Sequence, residues 1–415
     1  MSAKRGAQAD TAGDQAGKRP KPEDDGRPRP KKYALLMGFQ GTSYAGMQRN
    51  IGFETIESTL LRALLVTGCI DKNNYETPQS MHFQRCARTD KGVHAARQVV
   101  AMRMILTENT VDELNAKLPD DIRIFGAFRT TKGFNPKNAC TGRRYEYLLP
   151  TYALMPKEKV PVPEYRVDEP KLTWFRETLK RYIGTHKFHN FTAGKSASDD
   201  SCRRYITDFT VSEPFEREGI EWVRIQVKGQ SFILHQIRKM IGLAVAIVRG
   251  HVKDDYMDRC FSDERVDVPK IPGLGLFLDC VFFDYYNKQY SNQHQILEFG
   301  AYDDVVESFK AAKIHSHIIS QEKQEQVILR WLNLLFIHRF NALPDDKGPK
   351  YKAGLQFDDE VAKIAEDARQ ALQTGQQPPT TKEVEKRLFG DAAEAVAARS
   401  ANPPTENSGW SCTIS

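Results

Sequence analysis

The sequence predicts an α+β protein of two similar halves, each a mixed or antiparallel sheet backed by helices. Three observations lead there. From Tyr33, strand-like and helix-like segments alternate in the order β-α-β-α-β-β. A second block after about residue 150 repeats the theme. Each sheet formed this way has one apolar face to cover, and helices packed on it are the simplest cover.

"YALLMGF" reads as a buried strand and "QGTSYAGMQRN" as a polar loop. "TIESTLLRALLVTG" reads as a helix capped by Thr55, with Ile56, Leu60, Leu61, Leu64 and Leu65 on one face. "RQVVAMRMIL" alternates, placing Val100, Met102 and Met104 on one side of a strand. "TVDELNAKL" opens with a capping box from Thr110 to Glu113, and "IRIFGAFRT" and "RRYEYLL" are further strands. In the second block Leu172, Phe175, Leu179 and Tyr182 make a helical stripe ending at Gly184, before the strands "RRYITDFTVS" and "EWVRIQVKG". Ser231 is then expected to cap a long buried helix, "FILHQIRKMIGLAVAIVR".

These elements divide the chain into five stretches. Residues 1–32 hold nine basic residues against five acidic ones and no periodic apolar pattern, so a disordered basic arm is expected. "KR" at 4 and "KRPK" at 18 resemble a two-part nuclear address, while Asp10, Asp14 and Glu23 argue against a mitochondrial presequence. Residues 33–150 form the first half and 151–286 the second, joined by the Pro-rich "LMPKEKVPVPEYRVDEP". A helical extension, including "QVILRWLNLLFIH", occupies 287–340, and a mostly mobile polar tail 341–415.

A chain of 415 residues can enclose a sizeable core, and Lys+Arg 60 against Asp+Glu 54 is a mild basic excess that permits a polyanionic partner without requiring one. Seven scattered cysteines without a CxxC pair indicate neither a disulfide framework nor a zinc site. The apolar runs are too short for a membrane span, and the expectation is a soluble intracellular protein. "AGKS" at 193 lacks the upstream glycine of a phosphate-binding loop, "GLGLFL" at 273 reads as a turn, and His186 and His189 have no acid or cysteine at metal spacing. His235 reads as a hydrogen-bonded core histidine.

What remains is a dispersed set. Asp90 stands in "CARTDKGVHAARQVV", where four successive groups of mixed charge exceed what turn chemistry asks for. Tyr145 shares a strand face with Tyr147 and Leu149, which by itself reads as core. Arg238 lies inside "ILHQIRKMIGLAVAIV", where a guanidinium either snorkels to water or needs a carboxylate, and Asp90 is the candidate.

The segments "CARTDKGVHA", "GRRYEYLLPT" and "GQSFILHQIRKMIG", in this order, resemble the motifs of the tRNA pseudouridine synthase A family. "FQGTSYAGMQRN" and "GTHKFHNFT" match it too, and "CARTDKGV", "FHNFT", "VKGQSF" and "VDVPKIPGLGL" resemble the eukaryotic pseudouridylate synthase 1 branch. The likeness runs from about Tyr33 to Tyr286; the basic arm and the C-terminal extension depart from the bacterial pattern. It implies the pseudouridine synthase fold and an isomerase that detaches uracil from its ribose, rotates it and rejoins it through carbon, without a cofactor. By resemblance Asp90 is the nucleophile, attacking either C1′ or the uracil ring, and Arg88 helps hold the flipped nucleotide. Tyr145 stacks on the uracil, its hydroxyl available for a late proton removal, and Arg238 pairs with Asp90 to keep it charged in a dry pocket. Lys91, Arg143, Arg144, Lys195, Arg203 and Arg204 are candidates for the RNA backbone. The implied partner is tRNA, at several positions including the anticodon stem, with messenger and small nuclear RNA left open; no membrane partner is implied. The branch suggests a nuclear monomer and leaves a mitochondrial pool open. Two other classes compete: an RNA-binding protein that lost catalysis, opposed by the presence of Asp90, Tyr145 and Arg238, and an aspartate-nucleophile hydrolase, opposed by the lack of a DxD loop and magnesium ligands near Asp90.

Overall fold

The computed structural model describes residues 29–335 together with His338, Phe340, Asp367 and Gln370. The basic arm before residue 29, and the tail from 341 apart from those two residues, lie outside them. By internal contacts the chain forms two units: one from the chain up to Arg143 with Phe277–Ile314, the other from Arg144–Leu276 with the chain from His315. The strands in chain order are β1 (Lys31–Phe39), β2 (Gln84–Arg85), β3 (His94–Met104), β4 (Ile122–Arg129), β5 (Gly142–Pro150), β6 (Gly184–Lys187), β7 (Arg203–Val211), β8 (Phe215–Arg217), β9 (Ile220–Gly229) and β10 (Leu276–Phe282).

In the first unit the strand order is β4-β1-β3-β10, with β2 paired to β3. β1 is antiparallel to both neighbours, Leu35 facing Ala127 on one side and Val100 on the other. β10 joins β3 in parallel, Phe277 opposite His94, so the sheet is mixed. β1 starts at Lys31, two residues before the expected Tyr33, and Lys32 is buried with its Nζ donating to the His82 carbonyl at 2.7 Å. Val100, Met102 and Met104 are buried as expected, and so are Val99 and Ala101 between them, because β3 is covered on both faces.

The helix Ile56–Val66 begins where the sequence placed it. Thr55 Oγ1 accepts from Ser58 N at 3.2 Å while Thr55 N donates to Ser58 Oγ at 2.9 Å, closing a capping box. The box expected from Thr110 to Glu113 does not form: the Thr110 hydroxyl accepts instead from Thr107 N at 2.7 Å, and the helix Thr110–Asn115 has Asn109 as an N-cap without a side-chain bond. A charged cluster fixes the helix Asp303–Phe309 to the sheet. Arg97 on β3 reaches Asp279 on β10 at 3.4 Å, Asp303 at 2.7 Å and Glu307 at 3.2 Å, and Lys310 reaches Asp279 at 3.2 Å.

The second unit has the order β5-β9-β7-β6, with β8 paired to β9; β9, β7 and β6 run antiparallel. The helix Glu169–Lys180 buries Leu172, Phe175 and Leu179 against the helix Gln236–Val248 and β7. That second helix is nearly all buried, and Gly242 is needed there because a Cβ would run into the Pro269 carbonyl. It starts four residues later than expected: Ser231 is not its cap. His235 takes a left-handed φ of +67°, which ends any helical path from 231, and Gln236 Oε1 accepts from Ile233 N at 3.0 Å. His235 is therefore the N-cap residue, half-buried, and not a core histidine. The chain from His315 forms the helices Ser316–Glu325 and Val327–Leu332, tied to the unit by Tyr152 Oη donating to Glu322 Oε1 at 2.5 Å. Among the described residues no helix is long and apolar enough to cross a membrane.

Candidate active site

The turn carrying Asp90 lies between β2 and β3 and is held through its backbone. Met47 N donates to Thr89 O at 3.1 Å, Gly92 N to Tyr44 O at 3.3 Å, and Val93 N to Asp90 O at 3.2 Å. Gly92 has φ +77° and Gly46 φ +107°, and a Cβ on Gly46 would stand 2.9 Å from the Thr89 carbonyl. The loop "QGTSYAGMQRN" is thus pressed onto the aspartate turn, where only glycine permits so close an approach. Gly41 N donates to His94 Nδ1 at 2.9 Å, tying that loop to the first residue of β3.

On this fixed backbone the side chains of Arg88, Asp90 and Lys91 are all exposed. The sheltered carboxylate expected from the sequence is not a property of its own turn: the hydrogen bonds there join backbone to backbone, and the carboxyl group projects from it. Behind the turn, buried Glu57 pairs with Arg85 and accepts from Arg49 N at 2.9 Å. Burial pushes the Glu57 carboxyl above its ordinary range, against the pull of the Arg49 amide and of Arg85 and Arg88. Arg143 Nη2 donates to the Cys86 carbonyl at 3.3 Å, so this candidate RNA contact is partly committed to the motif itself.

In the second unit Tyr145 is half-buried on β5 and meets Phe232 edge to face, ring centroids 5.3 Å apart. Phe232 is available because the segment before His235 is not helical. It was not singled out from the sequence, where "SFILH" read as the first turn of a helix. Behind Tyr145, fully buried Glu146 accepts from Gln226 at 2.9 Å and pairs with His315 at 2.7 Å, which fixes the strand beneath the ring. Tyr147 is core, as its pattern suggested, and donates to Pro272 O at 2.8 Å.

Arg238 is half-buried at the start of its helix, and its Nε donates to the Ile271 carbonyl at 2.7 Å. Burial lowers its pKa from the ordinary guanidinium value, with the Tyr147 hydroxyl acting the other way. The guanidinium also lies against Gly273, in the "IPGLG" segment, where a Cβ would stand 3.6 Å from it. "FHNFT" proves to be a brace: Lys239 Nζ donates to Asn190 O at 2.9 Å, and Asn190 Nδ2 to Glu264 O at 2.8 Å. Among the basic candidates, Lys195 is paired with Asp199 at 2.6 Å, Arg203 is exposed and Arg204 half-buried.

A family model described as tRNA pseudouridine synthase matches residues 178–284, which include Arg238. The chain is 47% identical over 314 residues to the pseudouridylate synthase 1 homolog of Homo sapiens, covering 74% of each chain. It is 45% identical over 346 residues to that of Mus musculus (80% of this chain, 82% of the other), and 31% identical to the tRNA pseudouridine synthase 1 of Candida albicans (78% and 70%). The chain belongs to the tRNA pseudouridine synthase family. It is an RNA pseudouridine synthase of the eukaryotic pseudouridylate synthase 1 branch, an isomerase acting on tRNA. The synthase's aspartate turn and its "QGTSYAGMQRN" loop lie before the matched stretch, in the first unit; Arg238 and its "IPGLG" partner lie within it.

Proposed function

We propose that Asp90 is the nucleophile of this tRNA pseudouridine synthase, that Tyr145 stacks on the target uracil, that Arg88 holds the flipped nucleotide and that Arg238 is the cation keeping the aspartate charged. The observation that carries the reading is the exposed carboxylate of Asp90 on a turn fixed by backbone hydrogen bonds and by a glycine from the neighbouring loop. A nucleophile must be accessible and must not have to reorganise when the substrate arrives. In the reaction the N1–C1′ bond breaks and N1 takes up a proton, C5 bonds to C1′, and the C5 proton leaves to solvent. Base stacking on an aromatic ring contributes about 1–3 kcal/mol and does not depend on sequence, which suits an enzyme acting at several uridines. On the same reading the substrates include the anticodon stem and extend to messenger and small nuclear RNA, and the enzyme works as a nuclear monomer with a mitochondrial pool.

Tritium release from tRNA labelled at uracil C5 tests the central assignment. Wild type releases the label, while Asp90→Asn binds tRNA normally and releases none. Release by the variant at the wild-type rate refutes the assignment.

A further inference from the structure

Three contacts fasten the aspartate turn to the loop around Tyr44, and they fall in order along both segments. Met47 N donates to Thr89 O at 3.1 Å, Gly92 N to Tyr44 O at 3.3 Å, and Gly41 N to His94 Nδ1 at 2.9 Å. Residues 41–47 therefore run antiparallel to residues 89–94, which carry Asp90 into β3. The first two contacts join backbone to backbone and need no particular side chain. The third depends on a side chain.

His94 opens β3 four residues after Asp90 and is 3% exposed. Its Nδ1 accepts from an amide, so that nitrogen carries no proton, and the ring is neutral with its proton on Nε2. Gly41 touches the same stretch of chain, for a Cβ there would run into the Val93 carbonyl. Gly41 O in turn accepts from Tyr44 N at 3.0 Å, and Tyr44 O accepts from Gly92 N. A hydrogen-bonded path thus leads from the His94 ring through Gly41 and Tyr44 to Gly92, two residues past Asp90. The loop is pinned a second time: buried Tyr44 donates its hydroxyl to Asp121 Oδ1 at 2.8 Å, and Gln40 N donates to Asp121 O at 2.8 Å.

We propose that His94 is a positioning residue for the isomerisation: its neutral Nδ1 holds Gly41, and through Gly41 and Tyr44 it sets the turn that aims Asp90. Its effect on turnover rests on the reading of Asp90 as nucleophile, whereas its hold on the turn does not. The bond from Gly41 N to the ring is buried, and an amide that loses its acceptor there has to turn toward water or another partner. Residues 41–44 move with it, and Gly92 follows through its bond to Tyr44 O. A shift of ~1 Å in a reacting group costs up to about 100-fold in rate. What the site requires is an acceptor at the Nδ1 position. Asparagine carries its Oδ1 at that position on the side chain, whereas glutamine carries its amide oxygen where Nε2 lies.

The test compares His94→Asn with His94→Gln and His94→Ala in the full-length enzyme, by steady-state pseudouridine formation in tRNA and by amide hydrogen exchange over residues 41–47 and 89–94. His94→Gln and His94→Ala are expected to lose at least ~10-fold in kcat with KM for tRNA kept within ~3-fold, and His94→Asn to keep kcat within ~3-fold. Exchange at Gly41 and Gly92 speeds up in the glutamine and alanine variants and stays at the wild-type rate in the asparagine variant. Full activity of His94→Gln or His94→Ala, equal losses of kcat in all three variants, or unchanged exchange in a variant that loses kcat each overturns the proposal. The exchange result stands whether or not Asp90 is the nucleophile, and tritium release by Asp90→Asn reads that assignment separately.

Discussion

Replacing Lys310 by Met tests whether the buried charge cluster holds the strand that leads from the aspartate turn. Lys310 is 1% exposed, and its ammonium lies 3.2 Å from Asp279, itself fully buried, and 2.8 Å from Glu307. Methionine keeps the bulk of the stem and removes only the charge. Asp279 then retains Arg97 at 3.4 Å as a cation. Breaking a buried ion pair by deleting one partner costs roughly 3–5 kcal/mol. Because Arg97 still donates to Asp279, the low end applies, about 3 kcal/mol, and at ~2–4 °C per kcal/mol for a unit of this size the melting temperature falls by about 6–12 °C. Urea unfolding and calorimetry measure both quantities. The double variant Asp279→Asn with Lys310→Met removes the buried anion along with its cation, so it is expected to recover at least ~1 kcal/mol of the summed single costs. A loss below ~1 kcal/mol for Lys310→Met, or strict additivity in the double variant, refutes the argument that these charges depend on each other.

Gly46→Ala forces a Cβ to 2.9 Å from the Thr89 carbonyl at φ +107°, and is expected to lower kcat at least ~10-fold while tRNA affinity is kept. Gly52→Ala, at φ +83° with nothing near, carries a similar backbone strain of ~1 kcal/mol and leaves kcat unchanged; equal kcat losses in the two refute the positioning role. Tyr145→Phe retains tRNA binding and slows turnover, whereas Phe232→Ala, which removes the ring set against Tyr145, weakens both; steady-state kinetics with tRNA separate the two outcomes. Burial, with Arg249 and Lys157 nearby, holds His251 down from 6.5 to about 3. Between those values the unfolded chain takes up a proton that the folded one refuses. The stability tied to a neutral His251 is therefore complete above pH ~6.5 and is lost as pH falls, by up to ~1.4 kcal/mol per pH unit. Denaturant titrations of His251→Leu should show a flatter acid limb than wild type.

Local periodicity was enough to find β1, β3, β4, β5, β7, β9 and the helix Ile56–Val66, because in each the apolar spacing and the turn residues agree. It failed where a tertiary or conformational choice overrode the pattern. "SFILHQIRKM" has helical spacing throughout, yet His235 in a left-handed conformation delays the helix to Gln236 and frees Phe232 to meet Tyr145. Thr110 has the right neighbours for a capping box but is claimed by Thr107. Asp90, Tyr145 and Arg238 stood out as charged or aromatic groups in unusual settings, and the family resemblance gave them roles. The Arg97–Asp279 contact joins residues 182 apart in sequence, and β10, near the end of the stretch expected to be the second half, returns to pair with β3. No local signal announces either, since both depend on the path of the chain.

The exposure of Asp90 bears on how the chemistry is made selective. A carboxylate in open water is well hydrated, and its hydration shell must be lost before it attacks carbon. The turn fixes where the group points through Thr89, Gly92 and Val93 backbone contacts, so position is built in and dryness is not. Dryness must then arrive with the nucleotide: an extruded uracil covers the carboxylate and excludes the water around it. Extrusion costs a few kcal/mol from a paired stem and less from a loop or mismatch, so if Asp90 is the proposed nucleophile the step that dries it also ranks the uridines. On the proposed reading of Asp90 as nucleophile, the ease with which a base leaves its stack contributes to which uridines are isomerised.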